Sequence, residues 1–193
     1  MAVIEREMTI AEAADRVSSW LPGHRVEILR GSLIVSPPPD EPHQGTVFEV
    51  GCEIRQAGAK KVGLKVRPGI ALWLPTGPAD YAIPDLSVVD ADIADALVRN
   101  NCYAPHVFHM VLEVTSFNWS DDTALKVELY AEAGIPVYLV ADRRHEEVLL
   151  YQNPKDGKYP VPTRYKRGES VPVPESVGVT LDLSVDTLLD GDD

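Results

Sequence analysis

HVFHMVLEVTSFNWSDDTALKVELYAEAGIPVYLVAD, residues 106–142, carries the pattern that decides the fold. His106–Val114 contains the apolar run Met110-Val111-Leu112, leads into Glu113, and reads as a strand. Ser120 opens a helix through Ala133, with Asp121 and Asp122 in the first turn, where carboxylates complement the helix dipole. Gly134 ends that helix and Pro136 blocks its continuation. Val137–Ala141 is apolar again and reads as a second strand. Strand, helix and strand in so short a stretch predict a mixed α/β protein.

The flanking sequence fits. Upstream, Leu86–Val89 is a short buried strand opened by Pro84-Asp85, and Val62–Val66 and Ile70–Leu74 read as strands joined by Arg67-Pro68-Gly69. From His43, Val47, Val50, Cys52 and Ile54 keep rough helical spacing, with Gly58 as a cap. Ser36–Pro42 is a stiff, proline-rich connector. Arg25–Leu29 and Leu33–Val35 alternate around Arg30-Gly31 as a hairpin. Thr9-Ile10-Ala11-Glu12 reads as a capping box opening a helix to about Trp20. Downstream, Val148–Tyr151 is a strand, and a proline-rich, β-like remainder closes with a helical turn near Val185–Leu189. No repeat or low-complexity linker interrupts the chain. Its 193 residues predict a single domain, 1–193, with helices around one sheet.

The formal charge is −12, from 30 acidic and 18 basic residues. Taken as an average, it argues against coating nucleic acid or an anionic membrane by bulk attraction. The charge is uneven, however. Residues 170–193 hold Glu175, Asp182, Asp186, Asp190, Asp192 and Asp193 and no base, half of the total. Arg55, Lys60, Lys61, Lys65 and Arg67 form an opposing stretch without an acid, able to track a phosphate backbone or simply to face water from a helix end and a strand. Residues 155–167 add a second basic stretch. Trp73, Tyr81 and Tyr103 lie beside the Asp85 strand, placed either to stack on bases or to cap a core edge. Cys52 and Cys102 are too few for a disulfide framework. The opening MAVIEREMT lacks the basic start and apolar run of a signal peptide, and no apolar stretch is long enough to span a bilayer, so a cytoplasmic location is expected.

The chemistry concentrates at strand edges. Asp85 begins one strand and Glu113 lies near the end of another. If those strands are neighbours, two carboxylates meet and repel, and a divalent cation relieves the repulsion. Lys126, in the following helix, can aim an ammonium at the same place. Acid, acid and lysine together suit phosphodiester hydrolysis. Each residue also has an ordinary reading: Pro84-Asp85 as a turn, Glu113 as a solvated strand end, and Lys126 as a surface partner of Asp122.

A wider pattern joins these residues: Pro84-Asp85, Leu112-Glu113-Val114-Thr115-Ser116, Asp122, Lys126, Tyr130, Ala133-Gly134-Ile135-Pro136, Tyr138 and Asp142. Together with Val26-Glu27-Ile28-Leu29-Arg30-Gly31-Ser32-Leu33, Ser36-Pro37 and His43, it resembles the Uma-type restriction endonuclease family of the PD-(D/E)xK nuclease superfamily, over about residues 8–188. The resemblance implies a restriction-endonuclease-like core over about residues 25–152, with a central mixed sheet flanked by helices, and an acidic C-terminal tail at about 185–193. It implies hydrolysis of DNA phosphodiester bonds, with Mg²⁺ or Mn²⁺ held by Asp85, Glu113 and the carbonyl of Val114. Lys126 would position the attacking water. In the wider superfamily the lysine lies two residues after the glutamate; Thr115 holds that place here, so Lys126 must reach the site from the helix. Glu27 matches an upstream acid near the metal, or else a hairpin residue facing solvent or pairing with Arg25 or Arg30. His43 matches a core-helix residue that reads more simply as a surface histidine. Tyr130, Gly134 and Pro136 match packing and helix-ending positions. Phe117 and Leu139 depart from the family pattern.

Duplex symmetry makes a homodimer the expected assembly. A nucleic-acid-binding or protein-interaction module with little catalysis is the competing expectation, and a hydrolase of some other phosphate or ester a third. Whether Glu27, Asp85, Glu113 and Lys126 converge separates them. Since half of the charge lies in the C-terminal stretch, the balance does not exclude DNA; that tail is expected to suppress loose binding or to cover the basic stretches.

Overall fold

The computed structural model describes residues 7–99, 101–115 and 121–191. Helix α1, Ile10–Trp20, starts at the expected capping box: Glu12 accepts from the Thr9 N–H at 2.8 Å, and Thr9 accepts from the Glu12 N–H at 3.3 Å. The hairpin strands are β1, Arg25–Leu29, and β2, Ser32–Ser36. Helix α2, Glu41–Gln56, begins two residues before His43, because the Asp40 side chain accepts from the His43 N–H at 3.0 Å and caps it. Strands β3, Leu64–Pro68, β4, Ala71–Trp73, β5, Tyr81–Ala82, and β6, Leu86–Asp90, follow. Then come β7, Leu97–Arg99, β8, Cys102–Tyr103, and β9, Phe108–Val114. A π-turn, Asp121–Leu125, leads into α3, Lys126–Glu132. The chain closes with β10, Val137–Asp142, β11, Glu147–Gln152, β12, Thr163–Lys166, β13, Ser170–Pro172, β14, Asp182–Ser184, and α4, Val185–Asp190.

The central sheet has the order β12-β11-β10-β9-β6-β3. Only β9 and β10, the strands of the opening stretch, run parallel; α3 crosses between them. The other pairs are antiparallel, which makes the sheet mixed. Residues expected to join one sheet form a second six-stranded sheet, β2-β1-β5-β4-β8-β7. Several of its strands are two or three residues long, too short for an alternating pattern to register in sequence. Val62 lies in a 3₁₀ turn, and β3 and β4, adjacent in sequence, enter different sheets around Gly69, whose φ of +62° makes the turn.

Alternation along β9 divides the core. Met110, Leu112 and Val114 pack with Val50 and Ile54 of α2 and with Leu188 of α4, while Val111 packs with Leu129 and Tyr130 of α3; Phe108 joins the α3 side across the register irregularity opposite Val88 and Val89. The acidic C-terminal stretch is therefore not a tail beyond the core: Val185, Leu188 and Leu189 are buried, and Arg167 binds Asp186 and Asp190. Asp186 and Asp190 lie one turn apart on α4, whose other side is apolar.

Candidate active site

The register Leu86↔Leu112 and Ser87↔Val111, continued by one residue, sets Asp85 opposite Glu113. Glu113 has the parity of Val111, so it faces the α3 side of the sheet. Both acids are buried, at 4% and 1% exposure, where an unpaired carboxylate would be costly. Each is paired several times over.

Helix α3 supplies the partners of Glu113. Lys126 and Tyr130 are four residues apart, one turn along the same face. Lys126 Nζ lies 2.9 Å from Glu113 Oε1, and the Tyr130 hydroxyl donates to the same oxygen at 2.6 Å. Lys126 Nζ is also 3.4 Å from Glu27 Oε1, which accepts from the Ile83 N–H at 2.7 Å. Glu27 is 2% exposed, so it neither faces solvent nor pairs with Arg30. The hairpin of the second sheet thus delivers an acid to the lysine of α3.

Asp85 is held from three sides. The Val114 N–H donates to Oδ2 at 2.7 Å, His43 Nε2 lies 3.0 Å from Oδ1, and the Arg25 guanidinium bonds Oδ1. The other end of that guanidinium is 3.6 Å from Glu113 Oε2. Burial disfavours the charged carboxylate, but the His43 hydrogen bond and the Arg25 charge outweigh it and hold Asp85 well below the usual carboxylate range. Arg25 loses hydration too, yet Asp85, Glu113 and Glu27 keep it firmly protonated.

Glu27, Asp85, Glu113 and Lys126 therefore converge, and one cationic group already bridges Asp85 and Glu113. Among the described residues, however, no three His, Cys, Asp or Glu side chains form a ready metal cage. Val114, expected to offer a carbonyl, is seen using its N–H to fix Asp85. Thr115 is structural: its hydroxyl donates to the Ala141 carbonyl at 3.2 Å and accepts from the Arg143 N–H at 3.0 Å. Asp142 caps the β10–β11 turn through the Arg144 and His145 N–H groups. The Asp122 side chain and Phe117 lie outside the described residues.

Three residues visible in the sequence have roles there that the sequence did not assign. Arg25 was legible only as a hairpin cation. His43 is 5% exposed rather than a surface residue. Tyr130 does more than pack, although its spacing from Lys126 was available as a signal. Trp73, Tyr81 and Tyr103 are only partly exposed, and the last two pack on core edges.

From the Arg25–Asp85 end of this cluster a cleft of about 610 Å³ opens along α2. No helix among the described residues is long and apolar enough to cross a membrane.

A solved structure titled as "a putative nuclease belonging to DUF820 from Anabaena variabilis" superimposes with a TM-score of 0.69 at 19% identity, covering 95% of this chain and 98% of that one. It shows the shared fold, a restriction-endonuclease-like α/β core. No curated protein matches the chain. The model of the Uma2 family, described as "Putative restriction endonuclease", matches residues 15–186, so the chain belongs to that family, whose description is of a nuclease.

Proposed function

We propose that the protein hydrolyses DNA phosphodiester bonds with a divalent cation, Mg²⁺ or Mn²⁺. The observation that carries this reading is the single guanidinium of Arg25 touching both Asp85 and Glu113. Two carboxylates that share one guanidinium face a common point, and hard oxygen donors suit these cations. The donor set fits a cation once Arg25 moves aside; its side chain, 23% exposed at the cleft, has an outlet.

Asp85 and Glu113 would then hold the cation, with the Val114 carbonyl completing the protein's ligands. When bound, the cation would lower the pKa of water and offset phosphate charge. Lys126 would orient the attacking water through its ammonium and counter the negative charge that grows on phosphorus oxygens. Glu27 and Tyr130 would position that lysine and Glu113. The water oxygen forms a bond to phosphorus while one ester P–O bond to deoxyribose breaks. Water gives up one proton and the departing oxygen gains one. Displaced from the acids, Arg25 would be free to pair with a phosphate oxygen. A second copy related by a two-fold axis would supply the site for the other strand. A cytoplasmic setting, where DNA is accessible, fits this activity.

One observation favours a second reading. Protein donors already occupy Asp85 and Glu113, as suits a nucleic-acid-binding or protein-interaction module needing no metal. A cleavage assay on supercoiled, linear and single-stranded DNA decides between them, with Mg²⁺ or Mn²⁺ and beside Asp85→Asn and Lys126→Ala. Metal-dependent cutting lost in both variants is the expected result. Cutting that survives both would place the chemistry elsewhere, and no cutting, with no cation binding in calorimetry, would favour the module.

A further inference from the structure

Beyond the acids, the cleft along α2 has a composition the hydrolysis itself leaves unexplained. Val47, Val66 and Leu86 give it apolar walls, and Phe48 stands at its side with 66% of its surface exposed. Arg55 also lines it and has no carboxylate partner among the described residues. The inner end is Arg25 and Asp85. An apolar slot with an exposed aromatic ring, Arg55 in its lining and Arg25 beside Asp85 where it meets the acid cluster matches one ligand class: a planar base carrying phosphates on both sides.

We propose that this cleft holds a single unstacked nucleotide of the DNA strand, the one next to the phosphate to be cut. This rests on the hydrolytic reading of the same site and adds how the substrate is seated. The base lies against Phe48 and the valine walls, one flanking phosphate meets Arg55, and the other reaches Arg25 beside Asp85. A volume of about 610 Å³ falls within the range of about 300–1,000 Å³ common to small-ligand sites, enough for a nucleotide and too little for a duplex. A base inside duplex DNA is already stacked and paired, so the strand must be single or locally opened to enter. The basic residue Arg55 thereby gains a specific task, and the favoured substrate class is DNA with a single-stranded, flapped or distorted segment.

The test reads binding without cleavage. Fluorescence anisotropy, in EDTA and again with Ca²⁺ in place of Mg²⁺, compares wild type, Phe48→Ala, Phe48→Tyr and Arg55→Ala on a labelled single strand, on the same strand with one abasic residue, and on intact duplex. Phe48 is exposed, so its variants should fold, and circular dichroism checks this. The expected result is about a tenfold loss of single-strand affinity in Phe48→Ala, restored to within about twofold by Phe48→Tyr. That loss should shrink when the abasic site occupies the cleft, while Arg55→Ala should flatten the salt dependence. Equal affinity of Phe48→Ala and wild type, an equal loss on intact duplex, or no binding of any form would overturn the proposal. Metal-dependent cleavage by wild type is measured separately. Cutting with no Phe48 effect removes the nucleotide slot and leaves the hydrolytic reading standing. Ring-dependent binding without cutting does the reverse.

Discussion

Arg25→Met is the substitution on which the site's reasoning turns. The guanidinium bonds Asp85, whose side chain is 2% exposed, and sits 3.6 Å from Glu113, at 1%. Methionine keeps much of the length and removes the charge. Two buried carboxylates then face each other without their shared cation. Losing one partner of a buried ion pair costs about 3–5 kcal/mol, and His43, Lys126 and the Val114 N–H remain, so the lower part of that range applies. For a chain of this size, about 3 kcal/mol lowers the melting midpoint by roughly 6–12 °C. The same change empties the position a cation would take. A divalent ion at a hundred times its dissociation constant returns about 2.7 kcal/mol. Wild type must first displace its own arginine, so its gain at equal concentration is smaller. Differential scanning fluorimetry across a Mn²⁺ titration therefore should show a variant less stable than wild type without metal and rising more steeply with it. Calorimetry should give the variant the tighter binding. A variant with an unchanged midpoint would refute the ion-pair account. One destabilised yet no more responsive to Mn²⁺ than wild type would refute the shared cation position.

Three other outcomes follow from the same structure. Tyr130→Phe removes the donor 2.6 Å from Glu113 and should lower stability by about 1–3 kcal/mol in thermal melts while slowing cleavage; unchanged values for both would make the hydroxyl incidental. Deleting residues 185–193 takes Val185, Leu188 and Leu189 out of the core, at about 1.5–3 kcal/mol each, comparable with a domain's whole stability. Loss of the cooperative melt is expected, and a folded truncation with raised DNA affinity would restore the picture of a detachable acidic tail. Burial pushes the Cys102 thiol up to about 12 and the Tyr81 hydroxyl up to about 12. The unfolded chain releases these protons at lower pH than the folded one, so stability should fall as pH rises above about 9. Denaturant midpoints from pH 7 to 11 check the sign, and a thiol reagent at pH 8 should spare Cys102 until the chain unfolds.

What the sequence disclosed follows the range over which each interaction acts. The β9–α3–β10 unit was legible because its signals are local: an apolar run, acids ahead of a helical stretch, then Gly134 and Pro136. Asp85 and Glu113 were legible as a pair because each sits at the end of an apolar strand, and the antiparallel register then sets them opposite each other. The second sheet was hidden because strands such as Tyr81–Ala82 are too short to show a pattern and are joined to the hairpin by a partner far along the chain, Ile28. Arg25 and His43 were hidden for the same reason. A cation on a hairpin and a histidine in the first turn of a helix look solvated until the folded chain brings Asp85 between them. The π-turn before Lys126 belongs to this class as well: nothing in Asp121–Leu125 announces it, yet it directly precedes the residue whose ammonium binds both Glu113 and Glu27. The −12 net charge is distributed by the same long-range contacts. Three of the acids behind it, Glu27, Asp85 and Glu113, are buried against Arg25 and Lys126, and Asp186 and Asp190 are bound by Arg167. Each of these clusters keeps a net charge of −1, so pairing leaves the total unchanged; what it changes is placement, since the acids that face the cleft are tied to bases and the cleft lining adds the cationic Arg55.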